Sequence, residues 1–269
     1  MFYILILTIP EIYAQYNLIF QPLWSAGRSG GRRGHLETEM TGDGSALHLV
    51  LTGDPGLFAI VRLSLLVSLS AVLFAALIGV PIGAFMALTR FPGREGAIVV
   101  LNALMGLPPV VVGLAIFLTL SRSGALGSWG LLFTPQAMVI AQTVLVAPII
   151  AALTRQTIED LWVEYREELA AMNVGPVGRV LTLVRDARFS LVTALLAGFG
   201  RAAAEVGAII IVGGNIDGFT RTMTTAIALE TSKGDLPLAI GLGMVLIFIV
   251  ILINALAWCA RRAGERYAG

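Results

Sequence analysis

Read from end to end, the chain alternates long apolar runs with short polar punctuation. Five runs, near residues 58–88, 97–120, 131–154, 190–213 and 236–260, are each long enough for a helix to cross a bilayer core, which takes about 20 residues. None alternates polar and apolar positions as a barrel strand does. Arg90-Phe91-Pro92-Gly93 follows the first run with residues that end helices. The pattern predicts an all-α, polytopic membrane protein with about five transmembrane helices. Pro81 and Pro148 predict kinks within their runs. The consecutive Pro108 and Pro109 remove two amide donors and must kink or break the second run. That feature is either a kink buried against neighbouring helices or a pair of half-helices lining a permeation path.

Composition agrees with the pattern, since 57% of the 269 residues are hydrophobic and 13% charged, with a mean hydropathy of +0.87. Little chain is left over for a large soluble domain. Residues 1–45 differ: Pro10, Glu11, Gln15, Asn17, Gln21 and Pro22 interrupt the opening apolar stretch, and a Gly- and Arg-rich segment follows. They are expected to be a poorly ordered or non-native extension with a working start near Met40, ahead of a transmembrane domain over 46–262 and a short tail over 263–269. The lone Cys259 excludes an intrachain disulfide, and His35 and His48 have no metal-ligand spacing. No metal site, bound cofactor or nucleic-acid partner is expected.

With 18 basic and 17 acidic residues, only the placement of charge is informative. Arg90, Arg94, Arg155, Arg166, Arg179, Arg185, Arg188, Arg261, Arg262 and Arg266 fall on one side of the five-span scheme. Arg62, Arg122, Arg221 and Lys233 fall on the other, as do Arg28, Arg32 and Arg33 of the extension. An excess of Lys and Arg marks the cytoplasmic side, so the amino terminus is expected outside and the carboxyl terminus inside. Trp129 and Trp258 sit where interfacial aromatics are found.

The cytoplasmic loop 155–189 is far longer than a turn requires. Leu161, Tyr165, Leu169 and Met172 form an apolar helical stripe, with Glu159, Asp160, Glu164, Glu167 and Glu168 on the remaining faces. Gly175 and Pro176 are expected to end that helix. A second amphipathic stretch would turn Val177, Val180, Leu181 and Val184 the same way, flanked by Arg179, Arg185 and Arg188. Two helices on the membrane surface and a docking element for a soluble partner both fit. The carboxylates favour docking, because an anionic leaflet repels them.

Segment Glu168 to Gly175, ELAAMNVG, resembles the EAA loop of ABC importer permeases, with Ala170, Ala171 and Gly175 at the family's spacing and Leu169 where Glu is usual. Segments RFPGR, NALMGLPPVVVGL, SRSGALG, LLFTPQAMVIAQT, GFGRAAAEVGAIIIVGGNI and TRTMTTAIALETSKGDL together resemble the tungstate-type permeases, with molybdate- and sulfate-type permeases as alternatives. The resemblance implies a type I ABC importer permease fold in a bacterial or archaeal cytoplasmic membrane. It further implies a homodimer in the lipid bilayer, a cytoplasmic ATPase subunit and an extracytoplasmic substrate-binding protein. Glu164, Glu167, Glu168, Ala170, Ala171 and Gly175 would then meet the ATPase. No Walker phosphate loop occurs in the sequence, so ATP hydrolysis would belong to another chain. An intramembrane enzyme built on Glu205 lacks a convergent set of groups, and a passive channel or scaffold leaves the acidic loop unexplained.

Arg201 and Glu205 are four residues apart in the fourth run, about 17 Å along it and near mid-membrane. An isolated charge there costs at least about 3 kcal/mol, so they are expected to pair. The pair either locks helices together or faces the path, with Arg201 attracting an anion. Beyond it, Asn215, Thr220, Arg221 and Thr224 form an outer loop that could offer donors to an oxyanion, dock a binding protein or be ordinary turn chemistry.

Overall fold

The computed structural model describes residues 55–268. The expectations for residues 1–45, including the start near Met40 and the position of His35, lie outside the described residues, as does His48. Among the described residues every regular element is helical. In order they are α1 (Pro55–Leu88), α2 (Arg94–Met105), α3 (Pro109–Leu120), a 3-10 turn (Gly127–Trp129), α4 (Pro135–Ala171), α5 (Pro176–Asp186), α6 (Arg188–Ala203), α7 (Gly207–Gly213), α8 (Met223–Lys233) and α9 (Leu236–Ala268).

Gly56–Leu88 of α1, all of α4 and Leu236–Cys259 of α9 are long and apolar enough to cross a membrane. Two bent pairs, α2–α3 and α6–α7, make five spans when each pair is counted as one. The helix α1 continues through Pro81 and α4 through Pro148. At Pro108 and Pro109 the chain does more than kink, for α2 and α3 meet at 96°. The cause is local. Gly106 ends α2, Pro108 is extended at the N-cap of α3, and Pro109 takes the first helical position, where a missing amide hydrogen has no intrahelical acceptor to lose. Pro108 and its neighbours Met105, Val110 and Val111 are exposed on this chain, and Pro109 is half-buried.

Three further differences from the sequence pattern matter for function. The third span and the first loop helix are one helix, α4, capped at its start by Thr134, whose hydroxyl accepts the Ala137 amide. The fourth run is interrupted at residues 204–206, giving a 62° bend between α6 and α7. Residues 223–233, read as part of an outer connection, form α8 with a Thr222–Thr225 capping box.

Because lipid is as apolar as leucine, close packing rather than area removed from water holds such a bundle together. Small residues set the approach of α1 to α4: a Cβ on Gly83 would stand 2.4 Å from the Ala151 carbonyl oxygen, and one on Gly79 2.9 Å from that of Ala147. Around this pair, Val67, Val112, Met138, Ile209 and Val212 form one apolar cluster, and Val72, Val146, Ile150 and Phe199 a second. Ile158, Leu169, Leu183 and Leu191 pack a third, joining α4, α5 and α6 to the end of α1.

Candidate functional site

The end of the bundle that carries α5 holds the acidic loop. There α4 stops at Ala171, and the turn is made by Asn173, whose φ of 51° is left-handed. The Val174 amide donates to the Leu169 carbonyl at 3.1 Å, and the Asn173 amide to that of Ala170 at 3.0 Å, a closure that satisfies two terminal carbonyls. Gly175 therefore does not end this helix. It is the N-cap of α5, with φ of −68°. Val174 folds back onto the cluster containing Leu169, while Met172 is exposed, so the buried stripe of this helix ends one position earlier than its sequence spacing indicates.

On α5 the buried face is Val180, Leu183 and Val184, continuing to Ala187. Val177 and Leu181 do not join them and are 81% and 70% exposed. Glu164, Glu167, Glu168, Ala170, Ala171 and Gly175 are also exposed at this end. Exposed apolar side chains of α5 and exposed carboxylates of the last turns of α4 thus lie on two helices joined by a tight turn. Arg179 of α5 is held by its Nε donating to the Val174 carbonyl at 2.8 Å and by stacking over Trp162.

Deeper in the bundle, Arg201 and Glu205 meet at 2.5 Å. They are not neighbours on one continuous helix face. Glu205 lies in the α6–α7 break, where Oε2 accepts from Arg201 and Oε1 accepts the Ala208 amide at 3.1 Å. The carboxylate is 4% exposed, whereas the Arg201 side chain is 31% exposed. One buried charge is thereby neutralised and also satisfies an orphan amide at the start of α7. The break packs against α3: a Cβ on Gly207 would come within 2.9 Å of Val110, and one on Gly113 within 2.7 Å of the Ala208 Cα. The two interrupted spans thus touch near their interruptions.

Most outer-loop donors are engaged within the chain, although the buried Arg221 Nε has no partner. Thr220 is fully buried and donates to the Gly213 carbonyl at 2.6 Å, and Thr224 donates to the Glu205 carbonyl at 2.9 Å. Asn215 Nδ2 approaches the Thr225 carbonyl at 3.5 Å, and Arg221 pairs with Asp217 at 3.0 Å. Thr220 fastens the lead-in of α8 to the end of α7, and Thr224 fastens α8 to the α6–α7 break.

Two further features escape sequence reasoning. Gln142, buried on α4, donates Nε2 to the Ala202 carbonyl at 2.9 Å while its Oε1 has no partner. It lines a cavity of about 10 Å3 together with Ser64, Ser68, Thr222 and Thr224. Glu159, placed by its spacing among the carboxylates on the polar faces of the loop helix, is bracketed by Arg94 of α2 and Arg155 of α4. Among the described residues no group of three or more His, Cys, Asp and Glu side chains is placed to hold a metal ion.

The bent spans and the acidic two-helix end are the architecture of a transport subunit, and residues 79–265 match the sequence profile of the binding-protein-dependent transport system inner membrane component. The chain belongs to this family of ABC importer permease subunits. It is 42% identical over 205 residues to a probable anion ABC transporter permease protein of Haloferax volcanii, covering 74% of this chain and 88% of that one. It is 39% identical over 214 residues to the tungstate uptake system permease protein TupB of Peptoclostridium acidaminophilum, covering 80% and 94%. An inward-facing structure of the MetNI methionine ABC transporter shares the fold, with a TM-score of 0.63 at 19% identity over 78% of this permease and 98% of that chain. Permeases of this family work with a separate ATPase and a binding protein, and reside in the membrane.

Proposed function

We propose that this permease carries an oxyanion of the tungstate class across the cytoplasmic membrane as a homodimer, taking its energy from a separate ATPase. The observation that carries the reading is the exposure of Val177 and Leu181 on α5 together with that of Glu164, Glu167 and Glu168 on the adjoining end of α4. Such an end is costly to leave in water and unsuited to an anionic leaflet, and it fits a groove on a soluble protein. The ATPase meets it there, at the cytoplasmic end, with Ala170, Ala171 and Gly175 allowing close approach. Relatives that act on tungstate and other anions support the cargo class.

The chain is oriented with its amino terminus outside and its carboxyl terminus in the cytoplasm, which is the placement the Arg asymmetry supports. The binding protein docks at the opposite, outer end. No group on this chain hydrolyses ATP. Because Thr220, Thr224 and Asn215 are occupied internally, they brace α8, and anion selection falls to the binding protein. Arg201, with its partly exposed guanidinium, borders the path next to the α3 break at Pro108 and Pro109, while Glu205 anchors it. The cargo shifts access only through unequal affinity for the outward- and inward-open states.

The test is uptake of tungstate, molybdate and sulfate into vesicles containing permease, ATPase and binding protein. ATP-dependent tungstate accumulation is expected, and it should vanish when residues 164–175 are scrambled. Accumulation without ATP would reject the reading in favour of a passive channel.

A further inference from the structure

We infer that Glu159 is a positioning residue that locks α2 to the coupling segment, so that movement at the Glu164–Gly175 end of α4 reaches the break at Pro108. The inference rests on the transport reading above. Glu159 lies on α4 about 36 Å from its start at Pro135, past the length needed to cross the bilayer core. One carboxylate oxygen takes Arg94 from α2, and the other takes Arg155 from α4 itself. Arg94 also donates Nε to the Met86 carbonyl at 2.9 Å, near the end of α1. A single side chain thus ties α1, α2 and α4 together.

The remaining contact between α2 and α4 is smooth. In it Ala97, Ile98 and Leu101 of α2 pack with Ala151 and Ala152 of α4, and Met86 of α1 joins the same cluster. Such a contact opposes separation but resists sliding weakly, whereas a charge-assisted, partly buried guanidinium–carboxylate pair has a preferred geometry and fixes register. From Arg94 the helix α2 runs without interruption to Met105 and the 96° break. Beyond the break, α3 lies backbone-close to α7 at Gly113 and Ala208, and α7 starts on the Glu205 carboxylate. A contiguous route therefore joins the coupling segment to the Arg201–Glu205 pair through α2 and α3, the kind of packed network that carries coupling between distant sites. The Arg155–Glu159 pair differs in kind. Both partners are on α4, so it transmits nothing between elements.

That asymmetry defines the experiment. Anion uptake and ATP hydrolysis are measured together in vesicles holding permease, ATPase and binding protein. Glu159→Gln and Arg94→Gln should each lower the anion moved per ATP by about tenfold, while the ATPase still copurifies. The Arg94→Gln/Glu159→Gln double variant should be no worse than either single change, as expected of one shared interaction. Arg155→Gln should leave the ratio near that of the unaltered protein. An unaffected ratio in Arg94→Gln, or an Arg155→Gln variant as uncoupled as Glu159→Gln, overturns the inference.

If the single variants fail to assemble, Arg94→Cys/Glu159→Cys in a Cys259→Ser background supplies the second measurement, with the two thiols joined by a reducible cross-linker. A ratio that is high when linked and falls on reduction supports the strut, and a ratio indifferent to reduction overturns it. Failure of the unaltered complex to accumulate any oxyanion overturns the transport reading and this inference with it. Normal uptake with unchanged variants overturns this inference alone.

Discussion

Glu205 holds Arg201 with one carboxylate oxygen and, with the other, accepts the Ala208 amide across the α6–α7 break at 3.1 Å. The two partners therefore differ in what their loss exposes. Arg201→Ala strands a buried carboxylate with one amide for compensation, and should destabilise the protein by about 3 kcal/mol. Glu205→Gln keeps an acceptor for Ala208 and leaves the partly exposed guanidinium nearer to water, so its cost should be smaller, about 1–2 kcal/mol. Thermal unfolding midpoints in detergent rank the two. A larger fall for Glu205→Gln than for Arg201→Ala would contradict this account of the break.

The α1–α4 contact makes a sharper statement about glycine. A Cβ at Gly83 meets backbone, the Ala151 carbonyl oxygen, which cannot rotate aside as a side chain can. Gly83→Ala should cost about 1–3 kcal/mol by overpacking. Gly96, on the exposed side of α2, has nothing within 4 Å of a built Cβ. Gly96→Ala should raise stability by up to about 1 kcal/mol by restricting the unfolded chain. Unfolding midpoints that move the same way in both variants would refute the contrast.

At the α5 end, Val177 and Leu181 make little of the fold and much of the exposed surface. Leu181→Asp should shift stability by no more than about 0.5 kcal/mol, yet weaken ATPase association by about tenfold or more if the leucine is a buried anchor there. Leu183→Asp places a charge in the core and should prevent folding. Copurification of the ATPase, alongside size-exclusion behaviour of the permease alone, separates these outcomes.

The unpartnered Gln142 Oε1 lines a cavity with space for one water molecule, among hydroxyls able to complete its hydrogen bonds. A high-resolution experimental map should show that water. Gln142→Leu removes the donor to the Ala202 carbonyl and should cost about 1–2 kcal/mol, with the water lost. An empty cavity beside an unaltered Gln142 would refute the assignment.

How much of this was legible in the sequence varies with how local each cause is. The Pro108-Pro109 interruption could be expected because missing amides act within one turn. Its depth could not, since 96° depends on the neighbours that α3 meets. The α5 face shows the same limit: Val177, Val180, Leu181 and Val184 share helical spacing, but the groove between α4 and α6 accepts only Val180, Leu183 and Val184. Asn173 rather than Gly175 took the left-handed turn because Val174 is pulled onto the cluster containing Leu169, which sets where α4 must close.

The sequence by itself determined the membrane setting, the helical class and the position of the acidic loop. Lipid offers no hydrogen bonds to backbone groups, so long apolar runs must satisfy their own, and that constraint is written residue by residue. Only the tertiary structure decided which charges meet. Arg94 and Glu159 are 65 positions apart, and Gln142 reaches a carbonyl 60 positions away. Nothing in the spacing of either pair distinguishes it from an ordinary solvated charge or a buried amide. The packing of α1, α2, α4 and α6 against one another brought them together, and the same packing turned the apparent anomaly of Arg201 and Glu205 into the anchor of a broken span.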